Sequence, residues 1–288
     1  MTDLARSIVE SVLGRDPGPM VAAPGKSHQV YLGPDVVVKI LAAGHSRLDR
    51  EIALAHHLPT GLAAPLLASG QHGQVRYACY PRVPGTTPGM WLPGVDATTA
   101  RHLTEQAVER LTMLHKWTPP DDVRHILSEA LDHGGFIGQA ALFAEIDRVS
   151  GHGVLRREVV GGLMAIARGA PPLARTDVPV HADCHWGNWM AHQGTVTALL
   201  DFEWARFGEP IDDWYFLARF SGEHMATAVD VITGATGIPH DELRAACEVR
   251  EAAYLVSDLL VELARSGDPA ELVGALHELV IDRVWGKV

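Results

Sequence analysis

The chain changes character once along its length, and that change constrains its fold more than any single motif. Up to Tyr80, short β-branched runs alternate with turns: HQVYLG and DVVVKIL flank Gly33-Pro34-Asp35, and GQHGQ divides a second strand-like stretch. This is the pattern of antiparallel hairpins. Between the hairpins, SRLDREIALAHHL sets Leu48, Glu51, Ala55 and Leu58 at helical spacing. Pro and Gly then crowd into PRVPGTTPGMWLPG, after which helical patterns take over in TTARHLTEQAVERLTMLHKW, GGFIGQAALFAEIDRVS, REVVGGLMAIARG and DELRAACEVREAAYLVSDLLVELARSG. A single β-like interruption, VPVHADCHWGNWMAHQGTVTALLDFEWARFGEP, breaks the helical half. Strands first and helices afterwards imply an α+β chain of two segregated lobes. The boundary is expected at a hinge over residues 81–85, giving lobes of 1–84 and 85–288.

Composition narrows the partners. With 35 acidic against 24 basic side chains the formal charge is −11, so the field of the molecule repels nucleic acid and anionic lipid and favours a cationic or uncharged small partner. The three cysteines, Cys79, Cys184 and Cys247, are far apart and form no CxxC pair, which argues for a reducing compartment. MTDLARSIVESVLGRD is an amphipathic helix pattern rather than a signal peptide, and no apolar run reaches the length of a membrane span. The expectation is a cytoplasmic protein, monomeric or homodimeric.

HADCHWGNWM, residues 181–190, holds the densest chemistry. Zinc would need about four N or S ligands, usually in two separated pairs, and His181, Cys184 and His185 have only His192 as a further neighbour. PGKS at residues 24–27 imitates the end of a P-loop, but Met20 stands where the first glycine belongs and a strand pattern follows. The stretch is kept as a turn that could cover phosphates. His181, Asp183 and Asn188 instead fit H-x-D-x-x-x-x-N, with Asp201 following in TALLDFE. Phosphoryl transfer uses such a set: an acid and an amide oxygen hold a metal ion against the phosphate charges, while a separate carboxylate orients the attacking hydroxyl. Loop-capping Asp and Asn are the plainer alternative.

The first half offers an independent check. Lys39 shares a strand face with Val37 and Leu41, an inward position for an ammonium, and Glu51 lies on the Leu48–Ala55–Leu58 stripe. A Lys–Glu pair explains both charges, whereas a solvated lysine and a rim glutamate explain each one singly.

Taken in order, VVVKI, REIALAHHL, YPRVPG, LTMLHKW, HADCHWGNWM and LLDFEWARFGEPIDDWYFLA resemble the aminoglycoside phosphotransferase family, which shares the two-lobed protein-kinase-like fold with choline kinases. The resemblance implies an N-lobe of antiparallel sheet with one helix and a mainly helical C-lobe. It makes Lys39 the α/β-phosphate ligand with Glu51 as partner, Asp183 the catalytic base, and Asn188 and Asp201 the ligands of Mg2+. The carbonyl of Pro81 and the amide of Val83 would read the base of ATP or GTP, Ser27 and His28 would lie over the phosphates, and His181 with Asp213 would support the catalytic loop.

Two departures stand out: Ala182 replaces the glycine of H-G-D, and D-F-E leaves the role of Glu203 open. Trp186 and Trp204, just after Asp183 and Asp201, are expected to face the acceptor. Glu251, Tyr254 and Asp258 share a helix face by their i, i+3, i+7 spacing. That face is either solvated or a wall that captures substrate ammonium groups, as the equivalent region does in the family. The expected activity is Mg-dependent phosphorylation of a hydroxyl on a small cationic antibiotic, an aminoglycoside or a basic cyclic peptide. The alternatives are a kinase for choline, a sugar or an amino alcohol, and a nucleotide-binding regulator without turnover.

Overall fold

The computed structural model describes residues 2–23, 29–42, 46–129 and 135–287. Ser27 and His28 lie outside the described residues.

The amphipathic start forms α1 (Thr2–Leu13), with Ala5, Ile8 and Val9 buried. Strands β1 (Val21–Ala23), β2 (Gln29–Leu32) and β3 (Val36–Ala42) are followed by α2 (Ser46–Ala55), β4 (Ala68–His72) and β5 (Val75–Pro81). The five strands make one antiparallel sheet in the order β1-β2-β3-β5-β4. β3 is its centre because Val36-Val37-Val38 suits a pleated strand paired on both edges. Its alternation sorts two layers: Val36, Val38 and Ile40 meet Ala5, Ile8 and Val9 of α1, while Leu41 meets Leu48 and Ile52 of α2 across the other face. Lys39 points with Leu41, as strand periodicity requires.

The rest is helical: α3 (Ala97–His115), α4 (Asp121–Ser128), α5 (Gln139–Gly151) and α6 (Arg157–Gly169), then α7 (Pro210–Arg219), α8 (Met225–Thr236), α9 (His240–Ala264) and α10 (Ala270–Val280). Between α6 and α7 the predicted β-like interruption becomes two ribbons, β6 (Val178–Val180) with β9 (Arg206–Gly208) and β7 (Trp189–His192) with β8 (Thr195–Leu199). α9 is the hub, packing on α5, α6, α7, α8 and α10. Sequence patterning did not single out α4, α7, α8 or α10. α7 has a capping box of Glu209 and Asp212 with Pro210 in its first turn, a start signal that becomes readable once the helix is sought there.

Two joints tie sheet to helices. α2 ends at Ala55, short of the expected Leu58, because the chain turns so that Leu54 and Leu62 enter the helical core. Thr86 exchanges backbone bonds with Ala191 of β7 at 3.0 and 2.9 Å, and Gly85, at φ +105°, lies so near that a Cβ would meet the Ala191 oxygen at 2.1 Å. Leu54 and Leu62 therefore carry the packing across the boundary expected at residue 84, whereas Gly85 and Thr86 lie on the same side of it as Ala191. Among the described residues no helix is long and apolar enough to cross a membrane.

Candidate active site

Lys39 Nζ lies 2.8 Å from Glu51 Oε2 and 3.1 Å from Asp201 Oδ1. Strand β3, helix α2 and the turn after β8 thus meet at one ammonium. Burial alone would lower the lysine pKa, but the charges of Glu51 and Asp201 outweigh it and hold the pKa above its ordinary value. The other oxygen of Glu51 accepts from the Tyr80 hydroxyl at 2.7 Å, so the carboxylate that aims the lysine is fixed from both sides.

The loop over residues 181–188 leaves β6 and is held from below by Asp213 on α7. Asp213 is fully buried and accepts from the backbone N–H of Ala182 at 2.7 Å and of His181 at 3.1 Å. His115, at the end of α3, donates to the same carboxylate at 2.8 Å. Burial works to raise the Asp213 pKa, and the bond from His115 with the loop amides overcomes it, leaving the pKa below the usual carboxylate value. His181 Nε2 donates to the Leu200 carbonyl at 2.8 Å while Nδ1 accepts from the Asp183 N–H at 3.2 Å. Both bonds require the neutral ring protonated at Nε2, and burial depresses the His181 pKa in agreement.

Asp183 follows Ala182, whose φ of 63° is left-handed. The Asp183 carboxylate accepts from Asn188 Nδ2 at 3.1 Å, and the same nitrogen donates to the Asp183 carbonyl at 2.7 Å. The Asn188 Oδ1 is thereby turned to the opposite side. Leu200 N–H bonds the Asn188 carbonyl at 2.8 Å, which brings Asp201 alongside Asn188, and Asp201 itself adopts φ 68° before a 3-10 turn over Phe202–Trp204. Burial, together with the charges of Asp201, Glu203 and Asp258, pushes the Asp183 pKa well above the carboxylate range. Burial and Asp201 push Glu203 up to about 7.

The cleft therefore concentrates negative charge that a bound cation would relieve. One amide oxygen and one carboxylate fit Mg2+, a hard ion that takes oxygen ligands and keeps several waters. Zinc does not fit: Cys184 is buried with its thiol on the Asp213 carbonyl at 3.2 Å, and among the described residues no three His, Cys, Asp or Glu form a metal-holding group.

Several expected acceptor contacts move. Trp186 is fully buried, its Nε1 donating to Ser221 Oγ at 2.9 Å, so it belongs to the core. Large rings are recruited to the core wherever an N–H partner is in reach. Trp204 sits beneath Arg47 of α2, with the guanidinium 4.0 Å from the ring centroid. Glu251 is buried, accepting from Arg219 Nε at 2.6 Å and Trp285 Nε1 at 2.6 Å. It shares a face with Asp258 but lies about 10 Å from it along the helix axis, and at that level the chain end covers it. Tyr254 and Asp258 do lie toward the catalytic loop. Asp258 contributes to the charge felt by Asp183, and the Tyr254 hydroxyl accepts from Arg206 Nη2 at 3.0 Å. Pro81 closes β5 opposite Val36, and Arg82 N–H returns to the Asp35 carbonyl at 2.9 Å. The carbonyl and N–H of one peptide group point to opposite sides, so with the Arg82 N–H on β3 the Pro81 carbonyl turns away from it.

Sequence reasoning passed over His115, Tyr80 and Arg50. LTMLHKW held the signal for the first, a histidine closing an apolar helix stripe. Strand alternation alone placed Tyr80 on the Lys39 face.

The sequence profile of the phosphotransferase enzyme family matches residues 22–248. No curated protein matches the chain. Among solved structures it is similar to the GDP complex of wild-type aminoglycoside 2'-phosphotransferase-IIIa, with 14% identity, 98% of this chain and 99% of that one covered, and a TM-score of 0.76. It is also similar to macrolide 2'-phosphotransferase MphH from Brachybacterium faecium, at 16% identity, 97% of both chains and a TM-score of 0.67. A ternary complex of a thermostable mutant of aminoglycoside phosphotransferase APH(4)-Ia with AMP-PNP and hygromycin B aligns at 16% identity over 97% of this chain and 98% of that one, TM-score 0.63. These likenesses establish a shared fold, and the profile match over most of the sequence shows that the chain belongs to the phosphotransferase enzyme family.

Proposed function

We propose that the protein transfers the γ-phosphoryl group of ATP or GTP, with Mg2+, to a hydroxyl of a small cationic antibiotic. The observation that carries the reading is the junction of Lys39 with Glu51 and Asp201 beside the Asp183–Asn188 pair. These are the parts a phosphoryl transfer needs, assembled in one cleft. Lys39 binds the α- and β-phosphates, and Asn188 Oδ1 with Asp201 would hold Mg2+, which neutralises charge on the phosphate oxygens. Asp183 orients the acceptor hydroxyl. As the new P–O bond forms, the bond to the β-phosphate oxygen breaks, the nucleoside diphosphate leaves and the hydroxyl proton passes to Asp183. The Pro81 carbonyl, turned from β3, and the Val83 amide are the groups offered to the base. Among the solved neighbours are proteins crystallised with GDP and with AMP-PNP, and with kanamycin or hygromycin B.

A cationic acceptor is supported by the charges of Glu203 and Asp258 beside Asp183 and by the net −11. A choline, sugar or amino-alcohol kinase is the second reading, favoured by one observation: Glu251 is consumed by Arg219 and Trp285, which removes one of the acids expected to capture ammonium groups. Nucleoside diphosphate release over a panel of aminoglycosides, basic cyclic peptides, macrolides, choline and sugars decides between them, with mass spectrometry for a gained phosphate. Turnover on antibiotics supports the proposal, turnover only on choline or sugars supports the second reading, and no turnover leaves a nucleotide-binding regulator.

A further inference from the structure

Arg50 is buried in α2 at 7% exposure. Its Nη1 donates to the Ile126 carbonyl at 2.6 Å and to the Ala205 carbonyl at 3.0 Å, and its Nη2 donates to the Glu129 carbonyl at 3.4 Å. Among the described residues, the carboxylate nearest it, Glu129 Oε2 at 3.5 Å, belongs to a side chain that is 61% exposed. Burial is accordingly the dominant influence on this guanidinium and lowers its pKa. A buried charge satisfied mainly by carbonyls is a poor device for stability, since an apolar side chain could fill the same volume without the desolvation cost. It is a good device for position, because the planar fork fixes direction at two elements at once.

The two elements matter. Ile126 lies in the last turn of α4, where its carbonyl also accepts the C-cap Glu129 N–H at 3.3 Å. Ala205 closes the 3-10 turn that begins at Asp201. Arg50 therefore joins the helix bearing Glu51 to the turn bearing Asp201, and both acids bind Lys39. Arg47 on Trp204, one helical turn earlier, reinforces the same contact. At the other end of this segment Leu62 accepts from Leu199 N–H at 2.8 Å. α2 is thus fixed to the helical lobe at both ends, while Lys39 rides on the sheet.

We propose that Arg50 is a positioning residue of the phosphotransfer site, setting Glu51 and Asp201 relative to each other so that the sheet-borne Lys39 meets both. The proposal rests on the phosphotransferase reading. Its test is steady-state turnover of the full chain and of Arg50→Met, Arg50→Lys, Glu51→Gln and the Arg50→Met/Glu51→Gln pair, with thermal unfolding of each. A misplaced site is expected to lower kcat about 10–100-fold in Arg50→Met, less in Arg50→Lys, with acceptor KM within about twofold. Because Arg50 acts through Glu51, the pair should lose about as much as the worse single variant rather than the product. Unchanged kcat in folded Arg50→Met, or losses that multiply, would overturn the proposal. Should Arg50→Met fail to fold, Arg50→Lys with full kcat has the same force. A wild-type chain that turns over no acceptor defeats the phosphotransferase reading instead. Arg50 is then judged by Mg-ATP titration, where about tenfold weaker binding in Arg50→Lys upholds its role and equal affinity ends it.

Discussion

Replacing Asp213 with Asn tests whether the catalytic loop is held by a charge or merely by shape. The carboxylate is fully buried and receives Ala182 N–H on Oδ1, and His181 N–H with His115 Nε2 on Oδ2. An Asn of the same size keeps one acceptor oxygen and must turn its NH2 toward a backbone N–H, leaving one or two donors facing a donor. Each lost bond to a charged acceptor is worth about 1.5–3 kcal/mol, and breaking a buried charged cluster costs about 3–5 kcal/mol in all. For a chain of this size that is on the order of a 5–8 °C drop in Tm. Catalysis should suffer further. Ala182 sits at φ 63°, a conformation that costs an alanine about 1–2 kcal/mol and survives only while its amide is held. Once released, Asp183 swings with it, and kcat should fall about 10²-fold or more while nucleotide affinity changes little.

The pH dependence has a definite sign. Because the folded pKa of Asp213 lies below its ordinary value, the stability it contributes is present above about pH 4 and is lost as pH falls through the folded pKa. The difference in Tm between wild type and Asp213→Asn, followed by calorimetry from pH 3 to 7, should be largest at the upper end and shrink toward acid. A constant difference, or a variant with native kcat, would refute the reasoning.

Asp183→Asn should remove turnover by about 10²–10⁴-fold with Mg-nucleotide affinity retained in calorimetric titration; near-native kcat would exclude Asp183 as the base. Gly85→Ala forces a Cβ toward the Ala191 oxygen and should break the Thr86–Ala191 pair, costing about 2–4 kcal/mol in urea unfolding; a neutral change would show that the linker can slide. Trp186→Phe loses the Ser221 bond inside the core and should cost about 1–3 kcal/mol without altering acceptor KM; a KM effect at full stability would return Trp186 to the acceptor site. Asp258→Asn should raise KM for a cationic acceptor severalfold, more at low salt, whereas Glu251→Gln should lower Tm and leave KM alone; the reverse pattern would mean that the face is read wrongly.

Much of the site was legible because its chemistry is local in sequence. His181, Asp183 and Asn188 lie within eight residues, and the amide geometry that joins them needs only a tight loop. Lys39 and Glu51 were legible for another reason: each is a charge at an inward position of a periodic element, and two such anomalies explain one another. What escaped was long-range. Asp213 is bonded by His115, 98 residues earlier in the chain, and Arg50 spans 76 residues to Ile126 and 155 to Ala205; neither spacing leaves a periodic trace. Helix α8 escaped because the face opposite its buried Met225, Ala228, Val229 and Ile232 carries small residues and threonines with Asp230 as its charge, so the contrast between its two faces is weak.

The misreading of the α9 face follows from the same limit and bears on the acceptor. Helical periodicity reports an angle around the axis and says nothing about which neighbour stands at a given height. Glu251 and Asp258 share the angle, but the first is level with Arg219 of α7 and with Trp285, while the charge of the second reaches Asp183. A carboxylate that already has a guanidinium and an indole N–H at 2.6 Å gains little from a third donor and would have to give up a buried partner to accept one. On the phosphotransferase reading, the acids that act on an acceptor cation are those whose charge reaches Asp183, Glu203 and Asp258. That arrangement rewards a single ammonium close to the reacting hydroxyl more than a chain of ammonium groups spread along the helix. Within the acceptor panel, then, the number of charges should matter less to KM than the distance between one of them and the phosphorylated oxygen.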